Sequence, residues 1–380
     1  MKYNTKLEKI NESELSLFNQ YLSSLDDMTL LTYGESDLEV NKLIKTQLID
    51  SLLQKNDKYS PSQGLLKVRN LIVNIENKRH NLCITEENVL LTYGSTEALF
   101  LSLSSIINPD DEVLLPLPCY PLYKDIITYL KGKITYVKYD QNFQIDINDL
   151  KNKISIKTKA IILNYPNNPT GIYLNKDVIY EIKKLVIKYN VVVIIDNVYE
   201  EIIFTNTNNI VTLLQDIDNL VIVNSLSKSK SLTGWRLGYL IANKNIISLS
   251  KKLHEMISIC MPHFLMESMI SALTSPCNVS YYKNNADYVF SFLKKLKLTV
   301  IKPDGGFYVC FSIKEFNMDS ITFCKYLAEN YHLGLIPGKF FCLDDYVRIS
   351  ISCDYKKIYQ GMKKLNRAIK ELKRRPQPSN

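Results

Sequence analysis

A chain of 380 residues, 46% hydrophobic and 23% charged, can bury a substantial core and reads as an ordinary soluble globular protein of two or three domains. No apolar run approaches the roughly 18–20 residues of a membrane span, and the opening MKYNTKLEKINESELS has no apolar core or small-residue cleavage site, so no secretory signal is expected. The formal charge of +8 does not imply nucleic-acid binding, because lysines and acids mix at helical spacing, the pattern of solvated helix faces.

In chain order, the first 40 or so residues are weakly patterned and contain YGESD, with Gly34. The piece YSPSQG follows, carrying Tyr59. From 86 to 243, short apolar runs alternate with longer amphipathic stretches. NVLLTY, EVLLPLP, KITYVKYD, AIILNYP, VVVIID, LVIVNS and GYLIAN predict strands; TEALFLSLSSII, PLYKDIITYLK and NKDVIYEIKKLVIKYN predict the helices between them. Near-continuous apolar strands separated by helices imply a largely parallel sheet covered on both faces, an α/β fold. Beyond Leu249 a long helical region runs to about 297. The hairpin-like TVIKPDGGFYVCFSI, another helix, YVRISIS and a last amphipathic helix with a polar, fraying end complete a smaller α+β part. The expected division is 1–45 as an arm joined to the small domain, 46–279 as the large domain and 280–380 as the small one.

Eight cysteines stand singly, with no CxxC pair, which fits a reducing cytoplasm better than disulfides or a zinc site. The four histidines are isolated and read as structural, and no metal is expected. GxSxG, GxGxxG, HExxH and the phosphate-loop GxxxxGK are all absent.

Ligands of parallel sheets sit beyond the carboxyl ends of the strands, so the polar residues that follow each apolar run point to one crevice. Those residues are GSTEA, CYP, NNPTG, NVY and LSKSK. The last opens SLSKSKSLTGWRLG, which gathers the only tryptophan, one of seven arginines and two of the twelve glycines. Forty lysines serve wherever positive charge alone suffices, so each arginine is a candidate for a planar, forked hydrogen-bonding task. Lys228, just past a buried strand, can be partly desolvated and become a Schiff-base nucleophile. Ser225, Ser227 and Arg236 supply donors suited to a phosphate dianion. Gly94, Ser95 and Thr96 stand where a helix N-terminus would favour an anion. Read singly, GSTEA could be a capped helix, Asp196 a strand-end cap and Arg348 half of a structural ion pair.

The stretch S-x-S-K-x-x-x-x-T-G-W-R-x-G resembles the lysine signature of class I/II aminotransferases, the fold-type I pyridoxal phosphate (PLP) enzymes. Matching landmarks run in order from Gly34 to Arg348. The resemblance implies a large domain with a mainly parallel seven-stranded sheet between helices, plus a smaller α+β domain. Lys228 is then the lysine that carries PLP and later shuttles a proton. Ser225, Ser227, Arg236, Gly94, Ser95 and Thr96 become phosphate ligands, and Asp196 the partner of the pyridine nitrogen. Tyr199 and Asn168 are expected at the ring oxygen, Tyr120 stacked on the ring, and Arg348 and Gly34 at the substrate. Tyr59 is expected to reach the phosphate of a neighbouring subunit, which makes the protein a homodimer with shared sites. Pro118 and Pro169 match positions that are often cis. The chain departs from common patterns at Ser36 and Tyr165, and has Thr96 where some dicarboxylate users place a lysine. The implied activity is transfer of an amino group from an L-amino acid to a 2-oxo acid. A PLP lyase, decarboxylase or cyclase on the same scaffold is the alternative.

Overall fold

A computed structural model describes residues 7–8, 10–54, 56–206 and 209–374. The first six residues of the expected leaderless start and the polar end beyond Arg374 lie outside the described residues. All seven runs read as strands join one sheet, in the spatial order Val89–Tyr93, Leu237–Ile241, Leu220–Ser225, Val192–Asp196, Thr158–Asn164, Glu112–Pro116, Lys133–Val137. Leu237–Ile241 runs antiparallel to both neighbours; the remaining pairs are parallel. Side-chain alternation explains why these strands read as unbroken apolar runs. In Val192–Asp196, Val193 and Ile195 enter one buried cluster while Val192 and Ile194 enter another on the opposite face.

The helices between strands cover those faces. Lys176–Tyr189 buries Ile179, Ile182 and Val186, spaced along a single stripe, and ends at Asn190, whose φ of 53° is the left-handed stop that asparagine tolerates. A second, antiparallel sheet follows in the order Ile336–Pro337, Tyr346–Ser350, Tyr308–Ser312, Val300–Ile301. The last two strands form the hairpin read from TVIKPDGGFYVCFSI. Its core draws on the helices Val279–Lys295, Ser320–Tyr331 and Tyr355–Leu372, and on Phe18, Leu22 and Leu31 from the N-terminal segment. That segment is pinned by a short parallel pairing of Thr29–Leu30 with Leu333–Gly334. The helix Lys42–Leu53 packs instead on His263–Thr274, against the large sheet's domain.

Cis peptides precede Pro118, as expected, and Pro166; Pro169, the other expected position, is trans. The strand ends at Asn164, so the chain turns at once, and by Pro169 it already lies inside the tight loop closed by Gly171 N–H on the Asn167 carbonyl at 2.7 Å. Tyr165 is buried beside that turn, and Ser36 accepts a hydrogen bond from the Tyr282 hydroxyl at 2.8 Å.

Candidate functional site

Three adjacent parallel strands end together. Asn164, Asp196 and Ser225 occupy their last positions, with Asn164 directly opposite Asp196 in the register. Asn164 ties the ends into one surface: its amide donates to the Asp196 carbonyl at 3.0 Å, and its side-chain oxygen accepts the Asn168 N–H at 2.9 Å. Beyond them opens a cavity of about 290 Å³ that runs from the large sheet to the small domain.

Asp196 is buried at its floor. The Tyr123 hydroxyl donates to Oδ2 at 2.6 Å, while Oδ1 is buried with no partner among the described residues. Burial raises the carboxyl from 3.8 to about 6, against the opposing pull of the Tyr123 hydroxyl, the Val198 N–H and the charge of Lys228.

SLSKSK contains two lysines, and the fold separates them. Lys228 lines the cavity and donates to the Gly34 carbonyl at 2.8 Å. Lys230 points the other way, is buried, pairs with Glu201 and donates to the Ser275 carbonyl at 2.7 Å. Gly34 permits the approach of Lys228, since a Cβ there would overlap the Tyr308 hydroxyl and lie 3.3 Å from Lys228 Nζ. Gly94, at φ +74°, opens the helix Gly94–Ile106 and lets Arg236 close over it; a Cβ would sit 2.8 Å from Arg236 Nη2. Ser95 and Thr96 in the first turn, Ser227 and Arg236 all line this end of the cavity. Ser227 Oγ is buried and unpartnered among the described residues. Ser225 lies behind the wall, where its hydroxyl accepts the Ser227 N–H at 3.0 Å.

At the opposite end, Arg348 is buried on the strand Tyr346–Ser350. Its two terminal nitrogens donate to Asn168 Oδ1 at 2.9 Å and to the Thr32 carbonyl at 2.8 Å, and Nε has no partner among the described residues. The guanidinium lies 4.1 Å from the Tyr308 ring centroid and 4.7 Å from that of Phe341. Tyr199 donates to the Tyr308 hydroxyl at 3.3 Å. Burial would raise Tyr308, but Arg348, Lys228 and the bond from Tyr199 outweigh it and lower the phenol, while Tyr199 is pushed well above its ordinary value by burial and by Tyr308. Tyr120 lines the cavity edge-on to Tyr123. Tyr59 does not line it; it stands 83% exposed on the surface of this chain.

Sequence reasoning missed Tyr123, Tyr308, Thr32 and Asn164. Tyr308 closes PDGGFY, read only as a turn, and Tyr123 follows Tyr120 by one helical turn in PLPCYPLY. It also missed a buried polar cluster behind the floor. Glu200 is 2.7 Å from Arg79 Nη1 and 3.0 Å from His80 Nε2, and it accepts from Asn197 and Asn224. Burial would raise Glu200, yet His80, Arg79 and Asn224 together lower it. Glu76, His80 and Glu200 are spaced closely enough to suggest a metal site, but Arg79 already supplies the positive charge.

The family described as "Aminotransferase class I and II" matches residues 26–365. The chain belongs to this family. A probable aspartate aminotransferase of Methanocaldococcus jannaschii is 32% identical over 349 residues, covering 88% of this chain and 92% of that protein. A probable N-acetyl-LL-diaminopimelate aminotransferase of Bacillus subtilis is 30% identical over 372 residues, 95% of this chain and 94% of its own. The crystal structure of aspartate aminotransferase from Thermotoga maritima superimposes with a TM-score of 0.93 at 26% identity, covering 97% of this chain and all of that one. Aminotransferases of this family are generally PLP-dependent, and the relatives act on amino acids and 2-oxo acids. No described helix is long and apolar enough to cross a membrane.

Proposed function

We propose that this aminotransferase holds PLP through Lys228 and moves the amino group of an L-amino acid to a 2-oxo acid. The observation that carries the reading is one cavity faced by the Lys228 amine, the Asp196 carboxylate and the Arg348 guanidinium. The donor set fits PLP: an amine for its aldehyde, a buried carboxylate oxygen without a partner for its ring nitrogen, and the Gly94 helix end, Ser227 and Arg236 for its phosphate. When bound, that group supplies a carbonyl carbon for the substrate amine and an electron-withdrawing ring.

The roles of the chain's own residues follow. Asp196 would keep positive charge on the ring nitrogen, and its burial beside Tyr123 would strengthen that interaction. Lys228, whose amine faces the cavity, would serve as the base that takes the proton from the substrate Cα. Arg348 holds the α-carboxylate through its fork, with Asn168 and Thr32 fixing the plane of the guanidinium. Tyr199 and Asn168 would donate to the ring oxygen, Tyr120 would stack on the ring, Ser95 and Thr96 would complete the phosphate cup with Ser225 behind it holding the Ser227 N–H, and Gly34 would leave room for the substrate. Tyr59, exposed here, reaches the phosphate of a second copy in a homodimer. The chain divides at 1–45, 46–279 and 280–380. Eight free cysteines support a cytoplasmic location.

The test is spectroscopic. Protein reconstituted with PLP should absorb in the visible, and borohydride should fix the adduct on the peptide containing Lys228. Amino acid alone should discharge the visible band and a 2-oxo acid restore it. An adduct at another lysine overturns the assignment, and release of ammonia with pyruvate, or of CO2, from amino acid alone would move the enzyme to the lyases or decarboxylases.

A further inference from the structure

Besides Arg348 Nε, two residues of the N-terminal segment that line the cavity, Asn19 and Thr32, each carry a buried polar atom with no partner among the described residues. Asn19 lies on the inner face of the helix Glu14–Ser23. Its amide group donates to the Leu15 carbonyl at 2.9 Å, which fixes its orientation, since only the NH2 end can donate to a carbonyl. Oδ1 is therefore the atom left over, buried and unpartnered. Thr32 spends its backbone carbonyl on Arg348 Nη2, and its hydroxyl, fully buried, is also unpartnered.

Both residues line the cavity that Arg348 and Lys228 face. An orphaned buried polar group costs about 1–3 kcal/mol. Two of them line one cavity, and one belongs to the residue whose carbonyl holds the Arg348 fork, so a ligand that supplies donors would relieve both.

Charge decides what that side chain can be. Among the described lining residues the cations are Lys228, Arg236 and Arg348, and each already has a task. A second carboxylate would face the lone pairs of Asn19 Oδ1 with no cation to offset them. Glu35, also on the lining, adds to the case against a second carboxylate. An ammonium would stand between the Glu35 carboxylate and the Arg348 guanidinium, so it is the competing occupant. The neighbouring wall is apolar, formed by Leu15 and Leu122 with Tyr120.

We propose that the side-chain end of this site takes an uncharged group bearing an N–H or O–H donor, as in a carboxamide, imidazole or phenol amino acid, with Asn19 Oδ1 and Thr32 Oγ1 as its acceptors. The proposal rests on the aminotransferase reading above. It sets this chain apart from a preference for aspartate, the substrate in the names of two of the relatives described.

The test compares kcat/KM of the PLP-loaded enzyme for two near-isosteric pairs, glutamine against glutamate and tyrosine against phenylalanine. The donor-bearing member of at least one pair should win by about tenfold or more, because a site built to bond a donor discriminates against the analogue that lacks it. Asn19→Leu and Thr32→Val should each bring that ratio toward one. Preference for glutamate overturns the proposal and means that a cation reaches the cavity from elsewhere. Preference for lysine over glutamine, measured alongside, overturns it as well. Equal handling within both pairs overturns it too, as does a ratio unchanged in both variants. If a variant fails to fold, the wild-type ratios still decide. Failure of every amino acid to discharge the visible band removes the functional reading along with this inference, whereas turnover without donor preference removes this inference alone.

Discussion

Asp196→Asn separates what the site costs from what it does. The carboxyl is buried and raised from 3.8 to about 6, so between those values the folded chain keeps a proton that the unfolded chain has released. Stability must therefore fall as pH rises through that window, and above about 6 the wild type carries the whole penalty. Each pH unit of that window costs ~1.36 kcal/mol, so the penalty is about 3 kcal/mol. Asparagine keeps the polar pairing nearly intact: its carbonyl can accept from Tyr123, and its NH2 replaces an oxygen that already had no partner. Only the charge is removed. In urea unfolding of the cofactor-free protein at fixed concentration, the variant should match wild type near pH 4 and exceed it by about 3 kcal/mol at pH 7.5. The same variant, loaded with PLP, should lose turnover because the ring nitrogen has lost its counter-charge. A stability difference that is flat with pH, or a variant less stable than wild type at pH 7.5, would refute the argument.

Lys228→Ala should eliminate both the borohydride-fixed adduct and turnover, and peptide mapping checks the first while the amino-acid half-reaction checks the second. Arg348→Lys removes the fork and its plane over Tyr308, so kcat/KM for amino acids should fall about 100-fold, mostly through KM, measured in steady-state kinetics. Glu200→Ala leaves Arg79 without its closest partner and should lower unfolding free energy by about 3–5 kcal/mol in urea titration.

The large sheet was legible because burial on both faces writes a strand as an uninterrupted apolar run, and each of the seven runs became a strand. Direction was not legible. LGYLI looks like its parallel neighbours because an antiparallel strand buried on both faces has the same composition. The cavity's cofactor side was legible because its residues cluster at the strand ends. Its other wall was not, since Thr32 and Asn19 come from a segment whose regular elements are a ten-residue helix with Phe18, Asn19 and Leu22 buried and the two-residue strand Thr29–Leu30. Nothing in that short pattern marks an asparagine as an inward position. Tyr308 was hidden for a different reason: the glycines before it in PDGGFY announce a turn, and a turn says nothing about where the next side chain points.

The charged run after VVVIID shows how composition can mislead about burial. NVYEE reads as a polar loop, yet Glu200 is taken out of water and given partners on three segments: Arg79 and His80 at the end of the helix Leu66–His80, Asn197 in its own turn, and Asn224 near the end of the strand Leu220–Ser225. The path continues toward the site. Asn224 Oδ1 accepts the Ser225 N–H at 2.7 Å, Ser225 Oγ accepts the Ser227 N–H, and Lys228 is next in the chain. Tyr199 immediately precedes Glu200. Lys230 and Glu201 add a second tie between the same two segments. Burying charge is costly, and a well-packed apolar replacement would often be at least as stable. What the ions provide here is a tie: they join the turn that follows Asp196 and carries Tyr199 to the strand end and turn that carry Lys228, the two segments whose carboxylate and amine face the same cavity.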